Sequence, residues 1–138
     1  MKVIIAGSRF GVYQEFFEDK LKELFLLPDS PYVITEVVSG CQQGVDTMGI
    51  EWGNRHGLKI ARFEVTRQMW GEIGLSAGPI RNGKMAEYGD LLVAFFNENA
   101  MNRGTKNMCK QMGAKGKKVI RFHEKLCRGK TLIMPSRA

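Results

Sequence analysis

Four short segments of this chain hold residue types that bind anions. Gly7-Ser8-Arg9-Phe10 follows one apolar run and Ser39-Gly40-Cys41-Gln42-Gln43-Gly44-Val45-Asp46 follows another. Ala77-Gly78-Pro79-Ile80-Arg81-Asn82 and Arg103-Gly104-Thr105 each introduce a helical pattern. Glycine at 7, 40 and 44 lets backbone N–H groups approach an anion closely, and the start of a helix adds unpaired N–H groups and a positive dipole end. Arg9, Arg81 and Arg103 lie near a glycine or proline, where a guanidinium can fork onto phosphate or carboxylate oxygens. Phosphate is the natural guest, and nucleotide recognition is the function the segments point to. Each loop taken singly is also an ordinary strand-to-helix turn; the convergence of three arginines on one rim favours a site.

Other candidates carry two readings each. Asp46 falls in the first turn of a helix, where the dipole stabilises a carboxylate, and it is also placed to bind a ribose hydroxyl. Thr105 caps a helix and can ligate phosphate from the same position. Trp70 either stacks on a base or covers the core. His56 and His123 have no partner at a useful spacing. GxGxxG and GxxxxGK[ST] are both absent, which argues against a conventional dinucleotide fold and a P-loop ATPase.

The elements that must position these groups follow from periodicity. Residues 2–6 are a β-branched apolar strand ended by Gly7, and 13–27 form an amphipathic helix stopped by Pro28, its aromatics facing the core. Residues 33–38 and 58–65 read as strands flanking a helix that ends near Gly57. A loop over 66–78 leads to a short helix through Met85 and Tyr88, and 90–96 is apolar enough for a central strand. Residues 97–103 read as a loop, Thr105 to Met112 as a helix and 118–122 as a further strand, with a weaker edge strand at 130–134. The order βαβαβ then αβαβ predicts an α/β, Rossmann-like three-layer fold with a mainly parallel sheet of about five strands, its ligands gathered at the carboxyl ends of the strands.

With 138 residues and 43% hydrophobic content, the chain suits one domain over 1–138 with a basic C-terminal extension at 123–138. The net charge of +7 is uneven: residues 1–100 carry 10 Lys/Arg against 13 Asp/Glu, and residues 101–138 carry 11 against Glu124 alone. That basic third is a candidate nucleic-acid surface and equally a solvated turn around Lys115, Lys117 and Lys118. No run approaches a membrane span and no signal-peptide pattern precedes the first strand, so a cytoplasmic protein is expected. Cys41, Cys109 and Cys127 lack disulfide-framework, zinc-site or catalytic spacing and read as packing residues, and no metal or cofactor is implied.

Taken in order, GSRF, SGCQQGVDTMGIEWG, Trp70, AGPIRNGKM, Asp90 with LLVAFFN, and RGTKNM resemble the SLOG superfamily of Rossmann-like nucleotide-binding domains, most of all its stand-alone YspA-like (DUF2493-type) branch, over residues 3–122. The superfamily includes the Lonely Guy phosphoribohydrolases, which cleave the N-glycosidic bond of nucleoside monophosphates, and the DprA proteins, which bind single-stranded DNA. The resemblance aligns Arg81 and Met85 with a Lonely Guy RxxxM segment that supplies a catalytic arginine. It aligns 101–108 with a PGGxGTxxE segment, of which Gly104 and Thr105 match while Met108 replaces the catalytic glutamate. A thioether cannot stabilise an oxocarbenium-like transition state as a carboxylate does, which weakens the hydrolase reading unless Asp46, Glu72 or Glu98 substitutes.

The expected function is therefore binding of a nucleotide or nucleotide-derived small molecule. Backbone amides at 7–10, 39–44 and 103–105 hold its phosphate, Arg9 and Arg81 neutralise it, and Asp46 meets the sugar. The alternatives are N-glycosidic cleavage centred on Arg81 and DprA-like nucleic-acid binding. A homo-oligomer is the expected assembly, since small domains of this class pair through exposed helices.

Overall fold

The computed structural model describes residues 1–124; the expected edge strand at 130–134, Cys127 and all but the first two residues of the basic extension lie outside the described residues. Five parallel strands, β1 (Lys2–Gly7), β2 (Glu36–Ser39), β3 (Lys59–Arg62), β4 (Leu91–Asn97) and β5 (Lys118–Glu124), pair in the order β3-β2-β1-β4-β5. The helices are α1 (Gln14–Phe25), α2 (Val45–Arg55), α3 (Arg67–Ile73), α4 (Ala77–Tyr88) and α5 (Arg103–Ala114). This is the Rossmann-like α/β class that the alternation of elements implies.

Side-chain alternation on the two central strands sets the layers. Val3 and Ile5 of β1 and Leu91, Val93 and Phe95 of β4 point to one face, where Phe17 and Leu21 of α1 and Val45 and Trp52 of α2 bury them. Ile4, Ala6, Leu92, Ala94 and Phe96 point to the other, against Met85 and Ala86 of α4 and Met108, Cys109 and Met112 of α5. Both faces of β4 are covered, so its seven residues read as one continuous apolar run ending in Asn97.

The outer elements depart from the sequence expectations. Pairing at this edge is limited to four positions, from Glu36↔Lys59 to Ser39↔Arg62, so β2 and β3 are shorter than 33–38 and 58–65; Val33 is left 76% exposed. The expected loop at 66–78 contains α3 and a 3₁₀ turn at Gly74–Ser76, and α4 already begins at Ala77. Thr66 starts α3 by accepting the Met69 N–H on its Oγ at 3.1 Å. Pro79 sits in the first turn of α4, where its missing N–H costs no helical bond. The glycines at 71, 74 and 78 mask these two starts in the sequence.

Gly44 joins the β1 and β2 ends of the sheet. It has φ +83°, and a Cβ there would collide with the carbonyl oxygens of Arg9 and Ser8. The close approach lets Val45 N–H bond the Ser8 carbonyl at 3.1 Å. Gly113, in the last turn of α5, is exposed and has open space where a Cβ would project. Gly44→Ala should therefore lose about 2 kcal/mol or more in urea unfolding, while Gly113→Ala should gain about 0.5 kcal/mol. Equal effects at the two positions would contradict this packing.

Candidate functional site

In a sheet of this order the chain turns one way after β1 and the other way after β4, which opens a crevice beyond the carboxyl ends of those two strands. A cleft of about 650 Å³ occupies it. Residues 6–10 at the end of β1 and just after it, and 100–105 before and at the start of α5, form two of its walls, α4 and Trp70 contribute a third, and Gln42 and Asp46 close the back.

The two central loops are tied together by one hydroxyl. Ser8 is buried; its Oγ accepts the Asn97 N–H at 2.8 Å and donates to Asn102 Oδ1, while its own N–H bonds the Phe95 carbonyl at 3.0 Å. Asn102 Nδ2 in turn donates to the carbonyls of Asn97 and Ala100, at 2.9 and 3.0 Å. Ser8 is thus occupied in holding the crevice open. Sequence reasoning did not single out Asn97 or Asn102; the signal was there in three asparagines between a strand and a helix, since asparagine bonds nearby backbone and tolerates the left-handed conformation that Asn102 adopts at φ +55°.

Asp46 and Arg81 form a buried polar pair at the back. Asp46 Oδ2 accepts the Gln42 N–H at 3.2 Å. Burial pushes its carboxyl up to about 6, against the Gln42 and Gly7 amides and the charges of Arg81 and Arg9. Arg81 is buried too; its Nη1 donates to the Gly40 carbonyl at 2.8 Å and its Nε to Asn82 Oδ1 at 2.9 Å. Burial lowers its pKa, with Asp46 opposing. These two bonds use two of the five guanidinium donors. Arg81 therefore braces the loop at 39–44 as well as facing the cleft, and replacing it with alanine would disturb both. Asn82, buried beside it, donates to the Gly104 carbonyl and to Asn107 Oδ1 at 3.2 and 3.0 Å, which fixes α4 against α5.

Apart from Gln42, the 39–44 segment stands behind the cleft. Ser39 Oγ bonds the Asp46 carbonyl at 3.1 Å and accepts the Cys41 N–H at 3.1 Å. A Cβ on Gly40 would come within 2.8 Å of Arg81 Nη1 and 2.9 Å of Asp46 Oδ2, and one on Gly7 would meet the Phe95 carbonyl and Val45. Gly7 lines the cleft; Ser39, Gly40 and Gly44 do not. The space freed by these three glycines is filled by protein.

The start of α5 presents backbone amides to the cleft. Its N-cap residue Asn102 makes no side-chain cap bond, and the first helical bond runs from Lys106 N–H to the Asn102 carbonyl at 2.9 Å. The N–H groups of Arg103, Gly104 and Thr105 have no recorded partner among the described residues, and nothing lies within 4 Å of where a Gly104 Cβ would project. Arg103, Gly104 and Thr105 all line the cleft, as do Arg9, Gly78, Arg81 and Asn82. The side chains of Arg9 and Arg103 make no ion pair or hydrogen bond with described residues. By contrast, the α2 start has given its Val45 N–H to Ser8 and faces the Asp46 carboxylate, and α4 has Pro79 in its first turn.

The rim is apolar and exposed. Phe10 (65% exposed), Met101 (64%), Leu75 (89%) and Trp70 (41%) all line the cleft. Large apolar groups standing in solvent around a polar floor mark a binding site. Phe10, Leu75 and Met101 had no periodicity to mark them, being in loops and a single turn. Glu72 and Glu98 do not line the cleft, so Asp46 is its one acidic side chain among the described residues, and no group of three His, Cys, Asp or Glu is placed there to hold a metal. Cys109 is buried in the α4/α5 core, and no described helix is long and apolar enough to cross a membrane.

The fold and the crevice define a Rossmann-like domain with its cleft at the switch point of the sheet. The fold is similar to that of DNA processing protein A (DprA) from Streptococcus pneumoniae, with a TM-score of 0.51 and 16% identity over 86% of this chain. The match takes in 58% of that protein's chain, and at this identity it is a likeness of fold. DprA is among the proteins of the superfamily that the sequence segments resemble. No protein-family model and no curated protein matches the sequence.

Asp46 gives the site a pH signature. Its carboxyl is raised in the folded state, from 3.8 to about 6, so the folded chain holds this proton more tightly than the unfolded chain. The stability it contributes is full below about pH 4 and is lost as pH rises through about 6. Asp46→Asn should remove that slope, so the difference in unfolding free energy between variant and wild type should move in the variant's favour by about 2.4 kcal/mol from pH 4 to pH 7. A difference independent of pH would contradict the buried carboxyl.

Proposed function

We propose that the cleft binds a nucleotide or nucleotide-derived small molecule, with a phosphate on the start of α5 and the base among the apolar rim residues. The observation that carries this reading is the pairing of three unpartnered α5 amides with two unpartnered arginines in a cleft whose rim also carries the exposed apolar side chains of Phe10, Trp70, Leu75 and Met101. A phosphate at a helix start gains both the N–H groups and the dipole, and Arg9 and Arg103 add charge-assisted bonds. Asp46 and the remaining donors of Arg81 meet the sugar between the two ends. The order of the sequence segments supports the finer assignment to the YspA-like branch.

Asp46 also favours a second reading, cleavage of a nucleotide N-glycosidic bond. A carboxyl near pH 6, buried beside an arginine and facing the ligand, has the properties of a general acid or base at neutral pH. It would take the place of the glutamate that Met108 replaces. Incubation with nucleoside monophosphates tests the second reading: free base released by wild type and not by Asp46→Asn supports cleavage, and intact nucleotide throughout removes it.

The binding reading is tested by a thermal-shift panel of nucleoside mono-, di- and triphosphates, NAD, ADP-ribose and cyclic nucleotides, followed by calorimetry on Gly104→Asp. Aspartate fits the open space at 104 and suits the first turn of a helix, so the fold should hold while the new carboxylate repels the phosphate. The affinity of the best ligand should fall at least about tenfold, a loss of roughly 1.4 kcal/mol. An unchanged affinity would remove the start of α5 from the site.

A further inference from the structure

The segment at 66–76 is built differently from the elements around it. No residue of α3 or of the following 3₁₀ turn is buried. Its hydrogen bonds stay within the segment and its junction with α4: Met69 N–H to Thr66 Oγ, Trp70 N–H to the Thr66 carbonyl, Gln68 to Glu72, the Gly74 N–H to the Trp70 carbonyl, and the Ala77 N–H to the Gly74 carbonyl. None reaches the sheet, α2 or α5. At its centre Gly74 has φ +57° and ψ −134°, a backbone state that side-chain-bearing residues rarely adopt, with open space around it. Few buried apolar contacts and a purely local hydrogen-bond set describe a segment that moves at small cost.

Its apolar side chains nevertheless have a direction. Trp70 and Leu75 line the cleft across from the start of α5, while remaining 41% and 89% exposed. A tryptophan and a leucine held in water at the mouth of a cleft gain burial when something apolar enters between them and the opposite rim. Phe10 and Met101 on that rim are exposed to a similar degree. A flat ring with two apolar faces fills such a gap; a sugar phosphate alone does not.

We propose that 66–76 is a cap that closes over the cleft and stacks Trp70 on the nucleobase of the ligand, making Trp70 the residue by which the site discriminates nucleotides from other phosphate esters. The proposal rests on the nucleotide-binding reading above and adds a moving part and a basis for selectivity to it. Trp52, the other tryptophan, is fully buried against Phe25 and the sheet and is outside the cleft, so a ligand-dependent change in tryptophan emission reports on Trp70.

The test compares AMP, GMP, CMP and UMP with ribose 5-phosphate, which carries the same sugar phosphate without a base. Nucleotide binding should move the tryptophan emission to shorter wavelength and protect it from acrylamide in wild type, and neither change should appear in Trp70→Phe, a surface replacement. Trp70→Ala should weaken nucleotide binding by roughly five- to a hundredfold and leave ribose 5-phosphate unaffected. Nucleotides that bind by calorimetry with unchanged emission and undiminished affinity in Trp70→Ala would overturn the cap and leave the binding reading standing. If neither nucleotides nor ribose 5-phosphate bind at millimolar concentration, both fall.

Discussion

The pairing of β1 with β4 at the centre of the sheet is the constraint on which the rest depends. Five consecutive positions, from Val3↔Leu91 to Gly7↔Phe95, place two strands distant in sequence side by side. The connections on their two flanks must then lie on opposite faces, α1 and α2 on one and α4 and α5 on the other, because parallel crossovers are right-handed. The crevice at the carboxyl ends is a geometric result of that choice. Ser8 converts it from a gap into a shaped site, since its hydroxyl takes the Asn97 amide and holds Asn102, the residue that begins α5. Through this one side chain the core pairing determines where the α5 amides point.

Charge is distributed within the cleft by a similar division of labour. Asp46 and Arg81 lie deep, each in contact with backbone, and their mutual attraction offsets part of the cost of burying both. Their proximity keeps the floor nearly neutral, with a carboxyl that titrates near pH 6. The positive potential available to a ligand comes instead from the start of α5 and from the exposed arginines at 9 and 103. The exposed positive groups at the rim and the near-neutral buried pair at the floor are therefore supplied by separate residues.

The central architecture was legible in the sequence because it rests on strong signals. Residues 2–6 and 90–96 are continuous apolar runs, as strands covered on both faces must be, and the arginines at 9, 81 and 103 do reach one cleft. What the sequence did not disclose is which glycines leave room for a ligand. Gly7, Gly40 and Gly44 look like a phosphate cradle in one dimension, yet the space beside them is taken by Phe95, Arg81, Asp46 and Arg9, contacts made across long stretches of chain. Gly104 and Gly78 carry no more local signal than they do, and these two line the cleft with open space beside them. The α3 helix was hidden by glycines at 71, 74 and 78, whose low helix propensity outweighs a single threonine cap.

On the proposed binding reading, the backbone amides opening α5, and not those opening α2, hold the phosphate of a nucleotide. Amide-resolved NMR of the uniformly 15N-labelled chain during titration with AMP tests it directly. The amide signals of Arg103, Gly104 and Thr105 should shift most, with saturation at a common dissociation constant, while those of Val45 and Thr47 should move little. Dominant shifts at 44–47, or saturable shifts confined to a surface away from the cleft, would contradict it.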